Sequence, residues 1–145
     1  MSPSSLAVVV LAAGQGTRMK STTPKVLHPL AGVPLIGHVL ATSEALESDL
    51  TVVVVRHEAE RVRGAVEELS DNAECVEQDE IPGTGRAVEV ALDRVPNSCD
   101  TVVVLSADVP LLDSDTLKAV LSYHHEVGAA VTILSTIADD PTGYG

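Results

Sequence analysis

Three apolar runs punctuate the chain: Leu6–Ala13 (LAVVVLAA), Leu50–Val55 (LTVVVV) and Thr101–Leu105 (TVVVL). Short, β-branched runs without polar alternation read as strands buried on both faces. Glu74–Glu77 is a shorter strand signal, and Ala129–Ile137 (AAVTILSTI) is a further one. Between them, Pro34–Leu46, Glu58–Leu69, Gly85–Arg94 and Asp113–Glu126 carry apolar residues at helical spacing. Asp113-Ser114-Asp115 ahead of Thr116 makes a helix start, with acid at the positive end of the helix dipole. Alternating strands and helices predict an α/β fold, a Rossmann-like open, mostly parallel sheet with helices on both faces. Ligands of such sheets sit beyond the carboxyl ends of the strands, near a reversal of strand order. Three distinctive segments fall at those ends: Gly14–Lys25, Gln78–Gly85 and Ser106–Leu111. There is no internal repeat, low-complexity tract or linker.

Composition narrows the classes. A chain of 145 residues is one domain, able to bury roughly 70% of its unfolded surface. Its hydrophobic share of 45% is almost wholly aliphatic, with no Phe or Trp and only Tyr123 and Tyr144 as aromatics. That argues against a nucleic-acid binder that stacks bases, and a formal charge of −12 argues against a nucleic-acid backbone as partner. Cys75 and Cys99 have no metal-site spacing and read as reduced thiols. Leu6–Ala13 is too short to cross a membrane and no charged leader precedes it, so the reading is a cytoplasmic protein.

Charge is unevenly placed. All 21 acidic residues lie beyond position 43, and the first 43 residues carry only Arg18, Lys20 and Lys25 as charged groups. An acidic molecule with one cationic, glycine-punctuated corner tolerates an anion there. Gly14-x-Gly16-x-Arg18 leaves two positions without a Cβ, so backbone amides can approach a phosphate. A third glycine is missing, so this is not the dinucleotide fingerprint, and no Gly-Lys-Ser/Thr makes it a Walker loop. Two glycines after a strand specify no more than a turn, and Arg18 and Lys25 elsewhere would be solvated cations. Together, and free of acids, they read as a phosphate site in which Arg18 clamps and Lys25 supplies a point charge. His28 and His38 read as structural. Asp108, just past a strand, is either a turn residue ahead of Pro110 or the single carboxylate through which Mg²⁺ binds beside substrate phosphates. Gln78 offers a donor and an acceptor to a base edge, with Gly83-Thr84-Gly85 following as a flexible loop.

These pieces closely resemble the sugar-nucleotide pyrophosphorylases. Nearest is the N-terminal uridyltransferase domain of the bifunctional N-acetylglucosamine-1-phosphate uridyltransferases / glucosamine-1-phosphate acetyltransferases. The resemblance is carried by LAAGQGTRM (11–19), PKVLHPLAGVPLIGHVL (24–40), EQDEIPGTGRAV (77–88), ADVPL (107–111) and DDPTGYG (139–145). Lys25 followed by Val26-Leu27-His28 separates this branch from cytidylyl-, thymidylyl- and molybdenum-cofactor nucleotidyltransferases, which share only the looser AAG-x-G-x-R-M theme.

The resemblance implies that Leu11, Ala12, Ala13 and Gly14 line the nucleotide site and that Arg18 and Lys25 contact phosphates as the catalytic pair. It implies that Gln78 holds uracil, supported by Gly83 and Thr84, and that Ser106, Ala107 and Asp108 flank ribose and metal, with Asp108 a Mg²⁺ ligand. Gly143 would bring backbone near the sugar. The implied reaction joins UTP and N-acetylglucosamine-1-phosphate into UDP-N-acetylglucosamine and pyrophosphate, for cell-wall precursors. Ala107 departs from the family's usual glycine, which implies a methyl crowding the ribose. The resemblance also implies that residues 1–145 are the N-terminal part of the domain, with the sheet incomplete at its C-terminal part. The sugar-binding half and a left-handed β-helix acetyltransferase domain, through which full-length members form homo-oligomers, would be absent. The expected consequence is a chain marginal by itself and slow or inactive in turnover. A nucleotide-binding fragment without catalysis and a related cytidylyl- or guanylyltransferase are the alternative readings.

Overall fold

The computed structural model describes residues 5–142. Each strand signal except the last becomes a strand: β1 (Leu6–Leu11), β4 (Leu50–Val55), β5 (Ala73–Glu77) and β6 (Thr101–Ser106). They form one parallel sheet in the order β5-β4-β1-β6. Chain order therefore runs outward from β1 in one direction through β4 to β5, then reverses to place β6 on the other flank. The switch lies between β1 and β6, so the loops leaving those two strands face each other across the crevice where such sheets bind ligands.

Helices α1 (Leu35–Ala45), α2 (Ala59–Leu69), α3 (Thr84–Leu92) and α4 (Ser114–Val127) match the sequence pattern to within two residues at each boundary. Ile36, Val39 and Leu40 of α1, Val62 and Val66 of α2 and Leu117 of α4 pack with Val8, Val10, Val53 and Val55 on one face. The other face is covered by α3, whose Ala87 and Ala91 meet Val9, Val52, Val54 and Val76. Helix α4 starts as its sequence implies, because the Asp113 carboxylate accepts from the Thr116 backbone N–H at 2.8 Å. It stops where Gly128 adopts φ 60°. A small hairpin absent from the sequence reading, β2 (Pro29–Leu30) with β3 (Val33–Pro34), turns through Ala31 and Gly32 at φ 51° and 85°. Prolines in both strands mask its signal.

Two expectations fail. Ala129–Ile137 is not a strand. Among the described residues it makes no ladder with β6, and Val131, Ile133 and Ile137 stand 75%, 81% and 100% exposed. An apolar run becomes a strand only when its backbone groups find a strand partner, and among the described residues no strand lies beside this one. An apolar groove of about 910 Å³ separates it from β6 and α4. Nor is Thr101–Leu105 buried on both faces. Helix α3 lies over β4, β1 and β5, so Val104 on its side of β6 is 45% exposed.

Candidate functional site at the tips of β1 and β6

The carboxyl end of β1 is stitched to its neighbours. Ala12 N–H donates to Val54 O at 2.8 Å, and Ala107 N–H donates to Leu11 O at 3.0 Å. The second bond continues the β1–β6 ladder into the segment that carries Asp108. Ala107 is fully buried in the α1/α4-side core. Its methyl points into apolar packing, which removes the expected crowding of a ribose.

Beyond Ala13 the chain leaves the sheet exposed at Gly14 and Gln15, and the two glycines then differ in role. A Cβ at Gly14 would meet nothing within 4 Å, so the space over it is open to a ligand. Gly16 has φ +59°, and a Cβ there would lie 2.6 Å from Cβ of Lys25. Its absence of a side chain seats the stem of Lys25 as well as the turn, a packing role invisible in the glycine spacing. Thr17–Met19 form one 3₁₀ turn that holds Arg18 exposed. Among the described residues the Arg18 guanidinium makes no hydrogen bond or ion pair.

Pro24 leads into a second 3₁₀ turn, Lys25–Leu27, anchored by buried Val26. Two side chains brace the segment from outside. His28 Nε2 lies 3.2 Å from Thr23 O, and Arg61 of α2 donates to Thr22 O at 2.8 Å. His38 Nε2 meets Leu30 O at 2.8 Å, so both histidines are structural, as read. From this braced position the Lys25 ammonium reaches Asp108 Oδ2 at 2.5 Å, across 83 positions of sequence. The sequence reading assigned the two residues separate tasks and did not foresee that they pair.

Gln78 stands at the tip of β5, its N–H bonded to Val55 O at 2.8 Å and the residue only 6% exposed. Its Nε2 donates to Ile81 O at 2.9 Å and Gly83 O at 3.1 Å. Both donors are thus used inside the loop, leaving Oε1 as the group that can accept from a ligand. Asp79 and Arg86 clamp the same loop through a 2.5 Å contact, and the Arg86 guanidinium holds the Asp79 carboxyl below the usual carboxylate range. Arg86 lies within the 77–88 motif, and its pairing with Asp79 carries no signal in the spacing. Gly83 and Thr84 open α3.

The structure therefore joins Lys25 and Asp108 directly, with Lys25 packed at Gly16 and the segment of Asp108 tied to Leu11. Gln78, Gly83 and Thr84 form a separately braced loop at the next strand tip but one, and Ser106 lies exposed at the end of β6. Gly143 lies outside the described residues. The apolar groove beside β6 offers no lysine or arginine for a phosphate, so its size does not make it the nucleotide site. No cluster of three or more His, Cys, Asp or Glu that could hold a metal occurs among the described residues. No helix among them is long and apolar enough to cross a membrane.

A family model for the MobA-like NTP transferase domain matches residues 8–142. The chain belongs to that family. Within the family it is 56% identical over 142 residues to the bifunctional protein GlmU of Clavibacter sepedonicus, covering 97% of this chain and 29% of that protein. It is 51% identical over 146 residues to bifunctional protein GlmU of Leifsonia xyli subsp. xyli, covering 100% and 30% respectively. The chain thus spans under a third of the length of these curated relatives. Among solved structures, the manganese complex of Rv0371C from Mycobacterium tuberculosis superposes with a TM-score of 0.68 at 25% identity, over 82% of this chain and 59% of that one. The open parallel sheet and the nucleotidyltransferase family read from the sequence are both borne out.

Proposed function

We propose that this chain binds UTP at the β1/β6 crevice and belongs to an enzyme that transfers its uridylyl group to N-acetylglucosamine-1-phosphate. The observation carrying this reading is the meeting of Lys25 and Asp108, with the Lys25 stem seated at Gly16 in the same loop as the open Gly14, in a member of the NTP transferase family. Similarity to two GlmU proteins directs the reading to the uridylyl branch.

In the reaction a phosphate oxygen of the sugar-1-phosphate attacks the α-phosphorus of UTP in line. A new P–O bond forms as the bond to the leaving pyrophosphate breaks, giving UDP-N-acetylglucosamine without a covalent enzyme intermediate. Such chemistry depends on positioning and on charge complementarity. Backbone of Leu11–Gly14 approaches the nucleotide, and Lys25 steadies the α-phosphate. Arg18, unengaged among the described residues, is free to turn toward the leaving pyrophosphate. The Gln78 Oε1 acceptor suits the N3–H of uracil, whereas cytosine presents an unprotonated N3 there. Gly83 and Thr84 support that loop, and Ser106 and the backbone of Ala107 flank the ribose.

A lone, half-exposed carboxylate suits Mg²⁺, which keeps several waters and takes its remaining oxygens from substrate phosphates rather than from a protein cage. Asp108 would hold that ion. Mg²⁺ when bound neutralises charge on the phosphates during transfer. A reaction that consumes UTP fits the reading of a cytoplasmic protein.

Calorimetric titration with UTP in the presence of Mg²⁺ tests the reading, with CTP and GTP as competitors. Preference for UTP, lost in Gln78→Ala, supports it; equal or tighter binding of CTP or GTP turns it to the related transferases, and no nucleotide binding sinks it. A parallel assay of pyrophosphate release separates a chain that turns over from one that only binds.

A further inference from the structure

We propose that Lys25 acts as a resident stand-in cation on Asp108, keeping a divalent ion off that carboxylate until a nucleotide draws the ammonium away. Metal and nucleotide then bind cooperatively. The inference deepens the nucleotide reading above and rests on it.

The geometry makes Lys25 a placed charge. Its backbone is fixed by the 3₁₀ turn after Pro24 and by buried Val26, and its stem lies against the bare face of Gly16. Thr22 and Thr23, just upstream, are tied down by Arg61 and His28. Only the distal part of the side chain is left to swing. Its ammonium has one polar partner among the described residues, Asp108 Oδ2 at 2.5 Å. Asp108 is equally placed. It follows fully buried Ala107, and the next residue, Val109, closes a turn by donating to Ser106 O at 3.2 Å. Both side chains keep access to solvent, at 38% and 37% exposure, so an incoming ligand can reach the pair.

A divalent ion arriving alone meets a carboxylate whose charge is already matched. To bind, it must displace the ammonium into water and do so at Asp108, which belongs to no cluster of three or more His, Cys, Asp or Glu among the described residues. A nucleoside triphosphate changes both sides of that exchange. Its oxygens offer Lys25 a more highly charged partner than Asp108, and they supply the ion with the further oxygen donors that the protein lacks. Lys25 moves from carboxylate to phosphate, and the ion takes the vacated carboxylate oxygen. Each ligand thereby removes the other's competitor, and the resulting coupling is reciprocal.

Affinity for Mn²⁺ alone, followed by the electron paramagnetic resonance signal of the free ion, tests this on the full chain. Lys25→Met should bind Mn²⁺ about 5- to 10-fold more tightly than the wild type, within the usual range of coupling between sites. Lys25→Gln should do the same, and thermal melts of both variants verify that they are folded. Lys25→Arg keeps a cation in place and should match the wild type, while Asp108→Asn should lose the ion. Unchanged or weaker Mn²⁺ binding in folded Lys25→Met and Lys25→Gln would overturn the proposal, as would Mn²⁺ binding that survives Asp108→Asn. Calorimetry with Mg²⁺ and UTP distinguishes the two levels of failure. A wild type that binds UTP with metal, beside variants of unmoved Mn²⁺ affinity, removes the stand-in role alone; a wild type that binds no UTP removes the nucleotide reading itself.

Discussion

Strands β4 and β6 are written in almost the same letters, LTVVVV and TVVVLS, yet they live in different surroundings. β4 lies between β1 and β5, with α2 on one face and α3 on the other, and Val52 through Val55 are all at 0% exposure. Among the described residues β6 pairs only with β1, and the face toward the α3 side is bare at Val104. The difference teaches that apolar sequence states a strand's appetite for burial, while its neighbours decide whether that appetite is met. It also separates two tasks. β4 anchors the core, whereas β6 holds out Asp108 to Lys25 while being fastened along one side only.

The sharpest way to break that contrast is to remove the same atoms from both strands. Val53→Ala in β4 should cost about 2–3 kcal/mol through lost burial and the cavity left behind. Val104→Ala in β6 should stay within about 0.5 kcal/mol, as exposed positions do. Urea midpoints read both, and equal losses would mean that β6 is covered in solution. Next in size are the two glycines of the first loop. Gly16→Ala must place a Cβ at φ +59° against Lys25 and should destabilise by about 1–2 kcal/mol while weakening UTP binding. Gly14→Ala has room and should leave stability unmoved while weakening UTP binding alone, so the pair divides packing from ligand approach.

A smaller effect comes from carboxylates at the edges of the fold. Asp49 is held below its ordinary range chiefly by the Leu6 backbone N–H, and Asp113 chiefly by that of Thr116. Each folded carboxyl therefore binds a proton less readily than its unfolded counterpart. Their stabilisation is present above the ordinary carboxylate range and is lost as pH falls below it, through the lowered folded values. The Asp49→Asn/Asp113→Asn double variant should show a flatter decline of the unfolding midpoint in acid than the wild type. Asp49 fastens the start of β1 at 2.9 Å, so this variant also probes the strand that β4 and β6 share. Smallest of all, Ile133→Lys in the unpaired run should shift the midpoint by less than about 0.5 kcal/mol. A loss several times larger would show that this run finds a strand partner in solution.

Much of the molecule was legible in its residues because the relevant signals are local. Unbroken valine runs, helical spacing and the Asp113 start placed the sheet strands and all four helices within a few residues. The acid-free first 43 positions directed attention to the corner where Lys25 sits. The site was read less completely. Arg18, Lys25 and Asp108 were chosen for their chemistry, but contacts such as Arg86 with Asp79 and Arg61 with Thr22 link parts of the chain for which spacing carries no signal.

What the sequence determined by itself was the kind of element each segment forms, the parallel α/β plan and the strand tips at which phosphate chemistry was to be sought. Periodicity and turn chemistry act over a few residues, and they survive in any arrangement of the whole. Only the tertiary structure decided that Ala129–Ile137 goes without a strand partner among the described residues, that the Ala107 methyl turns into the core, and that Gly16 makes room for the lysine that meets Asp108. Each of these outcomes depends on which distant backbone or side chain lies alongside, and a local pattern does not encode its neighbours.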